Sequence, residues 1–92
     1  MRITIKYLEG QVNLINRLTN SPEEKRTRVD GRNIPNVGNY HLSQSMGGVE
    51  LQRVGNESGG TSDVSRGGHV SNKELSNWMS GFIAGLEMRG EG

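Results

Sequence analysis

The chain is 92 residues long, carries eleven Lys and Arg against ten Asp and Glu for a net charge of +1, and has no cysteine. That excludes a disulfide framework and thiolate metal sites, and it favours an intracellular setting. Leu, Ile, Val and Phe make up about 22% of the residues, just above the rough 20% level below which chains stay disordered, so one folded domain over 1–92 with a thin core is expected.

In chain order, the first predicted element is an amphipathic helix over 4–19. Leu8, Val12, Ile15 and Leu18 recur at three- and four-residue steps behind Ile5, and Thr4 stands where an N-cap hydroxyl is wanted. A strand over "RITIK", from the alternation of Ile3 and Ile5, is the weaker reading. Residues 20–37 read as loop with a short helical turn. Ser21, Pro22 and Glu24 make a helix-start signal with no apolar run behind it, Asp30-Gly31 is a turn pair, and Pro35 forces Ile34 into extended geometry.

A β-hairpin is expected over 39–54. Tyr40 and Leu42 alternate on one side, and Val49 and Leu51 do the same after a glycine turn at Gly47-Gly48. The opposite face carries His41, Ser43, Glu50 and Gln52. A Gly/Ser-rich stretch over 55–70 then leads into a helix over 72–88. Ser71 and Glu74 form its capping box, Val70 and Leu75 its hydrophobic staple, and Leu75, Trp78, Met79, Phe82, Ile83 and Leu86 line one side. Gly81 and Gly85 disfavour a helix, so close approach of another backbone is expected, from the first helix or from a symmetry mate. Asn77, Trp78, Gly81 and Gly85 are therefore the candidate oligomer interface.

The order of elements predicts an α+β fold: a small antiparallel β-hairpin or sheet with the N-terminal and C-terminal helices packed on one face. Two strands alone are marginal, so a third short strand, or a sheet completed across a dimer, is expected. Small cores are commonly completed by oligomerisation, and a homo-oligomer is the predicted state. No apolar run approaches the roughly 20 residues of a membrane span and no signal-peptide core is present, so a soluble protein without a membrane partner is expected.

The Gly/Ser-rich loop matches neither G-x-x-x-x-G-K-[ST] nor G-x-G-x-x-G. Two readings stand. It is a flexible solvated linker, or its bare backbone approaches an anion with help from Ser62, Asp63, Arg66 and the following helix N-terminus. With no second domain to connect, it must fold back across the same core, which makes it the rim of a site.

His41 and His69 are too few and too far apart for a zinc pattern. A triad of Ser43, His41 and Asp63 has no nucleophile elbow behind it. A non-enzymatic chain with no cofactor and no metal is expected. The run "EEKRTRVDGR" mixes four cations with three acids and interleaves no aromatic, so it reads as a solvated face rather than a nucleic-acid patch.

The segments "GNYHL…GG", "GGTSD" and "GFIAG" carry a further signal. Over residues 4–88 the chain resembles small proteins encoded by bacteriophages and prophages, through Asn39, Tyr40, His41, Gly47, Gly48, Ser62 and Asp63. Met46 departs from that pattern, in which the turn carries an aromatic. The resemblance implies an accessory protein acting in the cytoplasm of the bacterial host, of a kind that binds a host factor or sequesters a nucleotide signal.

The sequence thus predicts a phage-type binding protein for a small polar or anionic ligand, a nucleotide-derived defence signal being the leading case. Asn39, Tyr40, His41, Arg53, Ser62, Asp63, Arg66 and His69 are its candidate ligand-binding residues. The alternatives are an inhibitor that blocks a host enzyme with the same surface, and a nucleic-acid-binding accessory protein using residues 25–32.

Overall fold

The computed structural model describes residues 2–65 and 67–91. Helix α1 spans Ile5–Leu18, and the Thr4 hydroxyl accepts from the Tyr7 N–H at 3.1 Å, as an N-cap should. Leu8, Val12 and Ile15 are buried, while Leu18 stays 40% exposed and does not join the core. The helix ends on Asn20 at φ +55, with Asn20 N–H bonded to the Arg17 carbonyl and Ser21 N–H to the Asn16 carbonyl. This is a Schellman closure, with asparagine at the left-handed position that glycine usually fills. Ser21 therefore finishes one helix rather than starting another.

The expected loop over 20–37 instead contains a hairpin. Strands β1 (Arg26–Val29) and β2 (Arg32–Pro35) pair antiparallel across Asp30-Gly31, whose φ values are +50 and +77. Positive φ at both central residues of a two-residue loop is the type I′ turn that Asp-Gly favours. Thr27, Val29 and Ile34 suit extended backbone, and no apolar stripe follows Pro22 to hold a helix.

The second hairpin is β3 (Tyr40–Ser45) and β4 (Gly48–Val54), with Tyr40 opposite Arg53 and Leu42 opposite Leu51. Its turn centres on Met46-Gly47, at φ +49 and +79, one residue earlier than the glycine pair suggests. Gly48 belongs to the strand, for a packing reason. A Cβ there would lie 2.9 Å from the carbonyl carbon and the Cβ of His69.

The third strand comes from inside the Gly/Ser-rich stretch. Strand β5 (Thr61–Asp63) pairs antiparallel with β4, giving the order β3-β4-β5. Beyond it, Val64 N–H donates to the Leu51 carbonyl, Leu51 N–H donates to the Ser65 hydroxyl at 2.9 Å, and Val49 and Val70 exchange backbone bonds at 2.8 and 2.9 Å. A stretch with linker composition is held by backbone pairing along β4.

Helix α2 (Asn72–Glu91) starts on Ser71, whose hydroxyl accepts from Glu74 N–H and donates to the Glu74 carboxylate. Leu75, Met79 and Ile83 are buried, with Trp78, Phe82 and Leu86 packed around them. The two helices lie side by side on one face of the three-stranded sheet, α1 against β3 and α2 against β4. The buried Gln11 amide joins them by donating to the Ser76 carbonyl and the Ser80 hydroxyl, both at 3.2 Å. The α+β arrangement, with both helices on one sheet face, is as the sequence predicts.

Candidate functional site

Strand β3 is an edge strand, and its free side borders α1. At one end Asn16 completes it. The Tyr40 N–H donates to Asn16 Oδ1 at 2.8 Å, and Asn16 Nδ2 donates to the Tyr40 carbonyl at 3.0 Å. A buried side-chain amide thus stands in for the peptide group of a missing neighbour. Because hydrogen-bonding sides alternate along a strand, the N–H and C=O groups of Leu42 and Gln44 face the same free edge as those of Tyr40.

Beside this edge lies an open cavity of about 280 Å³. It is bounded by Glu9 and Asn13 of α1, by Glu23 and Lys25 ahead of β1, and by Asn39, Tyr40 and His41. It concentrates unsatisfied polarity. Among the described residues, four buried side-chain atoms make no hydrogen bond: Gln11 Oε1, Asn39 Oδ1, His41 Nδ1 and His41 Nε2. Three of the four belong to residues lining this cavity, where native proteins leave few such atoms unpaired. Asn39 is otherwise tied down, its Nδ2 donating to the Pro22 carbonyl at 2.8 Å.

Burial, with the Lys25 charge as the second cause, holds the His41 imidazole below its ordinary value of 6.5. The Gln52 side chain and the Asn39 backbone oppose this by favouring the charged form, but neither meets a ring nitrogen with good hydrogen-bond geometry. His41 is therefore a neutral ring at pH 7, with one donor and one acceptor nitrogen unused.

A second polar cluster lies on the sheet face away from the helices. Gln52 Nε2 donates to Glu50 Oε1 at 2.8 Å and to Asp63 Oδ1 at 3.2 Å. His69 Nε2 sits 3.6 Å from the same Glu50 oxygen and 3.2 Å from the Ser43 hydroxyl. Serine and carboxylate both approach the same ring nitrogen. A relay needs them on opposite nitrogens, so this arrangement does not activate Ser43. Its visible work is to pin His69, and with it the loop, over a buried glutamate.

The sequence-predicted residues divide accordingly. Asn39, Tyr40 and His41 border the cavity. Asp63 and His69 belong to the outer cluster, and Ser62 is exposed on β5 opposite Arg53. Arg53 does not face that loop cluster: its guanidinium lies 5.5 Å over the Tyr40 ring and its Nε donates to the Gly38 carbonyl at 3.4 Å. Arg66 lies outside the described residues. The triad of Ser43, His41 and Asp63, which no sequence motif supports, does not assemble, since Ser43 pairs with His69 and Asp63 with Gln52.

Sequence reasoning missed Asn16, Glu9, Asn13 and Lys25. One signal was available for Asn16: an amide at helical spacing from Leu8 and Val12, inside the apolar stripe. Of the interface candidates, Trp78 stacks on Phe82 at 5.1 Å and Asn77 is exposed. A Cβ at Gly81 or Gly85 would meet nothing within 4 Å, so α1 is not the backbone that approaches them.

Comparison with family models, with curated proteins and with solved structures gives no match. Among the described residues, no helix is long and apolar enough to cross a membrane.

Proposed function

We propose that this chain is a non-enzymatic binding protein whose cavity between α1, residues 23–25 and β3 takes a small polar ligand. The observation that carries this reading is the set of unpartnered atoms at Asn39 and His41. Asn39 Oδ1 is an acceptor, and neutral His41 offers one donor and one acceptor, which together match the edge of an amide or a nucleobase. Both ring nitrogens are covered, so binding turns the His41 ring to present one of them to the cavity. The volume is at the small end for ligand pockets, which suits a nucleoside-sized group rather than a whole dinucleotide.

Lys25 is the one cation among the lining side chains, against Glu9 and Glu23. These charges support recognition of the neutral part of a nucleotide-derived signal and leave phosphate outside. The resemblance to phage accessory proteins supports sequestration of such a signal in the bacterial cytoplasm. Isothermal titration against nucleosides and against linear and cyclic nucleotides tests this. Micromolar binding that is lost in His41→Ala is expected; absence of any heat up to high micromolar ligand overturns it.

One observation favours a second reading, a protein inhibitor of a host enzyme: the Leu42 and Gln44 backbone groups on the free edge of β3 can pair with an extended partner segment. Stoichiometric capture of a protein without bound small molecule selects it. The open glycine face of α2, where shallow depressions are lined by Phe82, Leu86 and Arg89, supports a homo-oligomer in either case. Light scattering tests that: Gly81→Leu should shift the protein toward monomer, and an unchanged mass overturns it.

A further inference from the structure

The β1–β2 hairpin is not used by the cavity, and no helix or other strand packs closely on it. Arg26, Arg28 and Arg32 are exposed, and among the described residues none of them forms an ion pair. Residues 25–32 hold four cations and one acid, a net charge of +3, so the rest of the chain sums to −2. The sequence alone mixes these cations with Glu23 and Glu24. In the fold both glutamates precede β1, Glu24 at the base of the ribbon where its carbonyl accepts from Asn36 Nδ2 at 2.9 Å, while the arginines lie along the exposed ribbon itself.

We infer that this arm docks on the phosphate backbone of a nucleic-acid duplex. Arg26 and Arg28 share one face of β1, with Asn33 directly opposite Arg28 and Arg32 across from Val29. Residues two apart on a strand are roughly 6.7 Å apart, and a four-residue ribbon is about 13 Å long, a size that a major groove about 12 Å wide admits. Three of the four cations are arginines, whose planar fork fits phosphate in two-point fashion.

The ribbon carries no aromatic ring, which removes the stacking that single-strand binders rely on and points to duplex phosphates. Its tip is Asp30-Gly31, an acid where a membrane-inserting hairpin presents apolar groups. The rest of the chain sums to −2 and adds no net attraction for a polyanion, so the arm is its one positively charged segment of this density. Phosphate contacts hold position on the duplex without reading its sequence.

Fluorescence anisotropy with a 20-bp duplex, a 20-nucleotide single strand and phosphatidylserine vesicles tests the inference on the intact chain. Two contacts from the Arg26/Arg28 face, or three with Arg32 from the other face, predict that duplex affinity falls about 12- to 40-fold between 50 and 200 mM salt. Arg26→Ala with Arg28→Ala should weaken binding at 50 mM salt by roughly tenfold or more and reduce the salt slope by about 2. Both side chains are exposed, so an unchanged circular dichroism spectrum and melting temperature in the double variant show that the loss is one of contact. No duplex binding at 50 mM salt, equal binding by the double variant, tighter binding to the single strand, or binding to vesicles alone each overturns it.

Discussion

Asn16 closes one end of the β3 edge. It is buried, and its amide satisfies both backbone groups of Tyr40. Asn16→Ala leaves both backbone groups of part-buried Tyr40 without their partner, so a loss of about 1–3 kcal/mol in urea unfolding is expected. His41 sets a pH dependence of definite sign. Its folded value lies below 6.5, so between the two values the unfolded chain binds more protons than the folded one. The stability from this residue is full above about pH 6.5 and is lost as pH falls through the folded value. Melting temperatures between pH 7 and pH 5 should fall less steeply in His41→Gln than in the parent chain. Neither role is written in the residue type. An asparagine in an apolar stripe and a histidine on a strand are legible as anomalies, but their partners lie 24 residues away or in a cavity wall.

Elements show where local chemistry and packing disagree. The β3–β4 turn places Met46 at φ +49, fully exposed, where a side chain without a local hydrogen bond is strained. Met46→Asn restores the Asn-Gly pair that a type I′ turn favours and should stabilise the chain by about 1 kcal/mol in thermal unfolding. The Gly/Ser-rich stretch shows the reverse, a weak local signal organised by neighbours. Gly48→Ala drives a Cβ into the His69 backbone, so the loop must move off β4. A loss of about 1–3 kcal/mol follows from such overpacking, with faster proteolysis between residues 64 and 70 as the specific readout. Both helices, their N-caps and the main hairpin were legible because their apolar spacing and turn residues agree. The first hairpin was not, since its strands have no buried face and only Asp30-Gly31 marks it. A third strand was expected from the size of the sheet, but its place at β5 was not legible because three polar residues carry no alternation.

At the scale of the molecule, the radius of gyration is 13.6 Å against roughly 12 Å for a compact chain of this length. The excess fits a small helix-on-sheet body with a hairpin arm standing off it. The arm buries little, and native-state hydrogen exchange should resolve this. Amides of β1 and β2 are expected to exchange through local opening, while those of β4 and the buried turns of α1 and α2 require global unfolding. Equal protection of arm and body contradicts the division. What the sequence by itself determined was the periodic part: two amphipathic helices, one alternating hairpin and the α+β class, because burying an apolar face dictates spacing directly. The tertiary structure alone decided where polar groups meet. It brought Asn16 to Tyr40, put His41 beside Lys25, turned Arg53 onto Tyr40 and set Arg26, Arg28 and Arg32 along an exposed ribbon. Those outcomes depend on strand order and register, which fix contacts between residues that no local spacing connects.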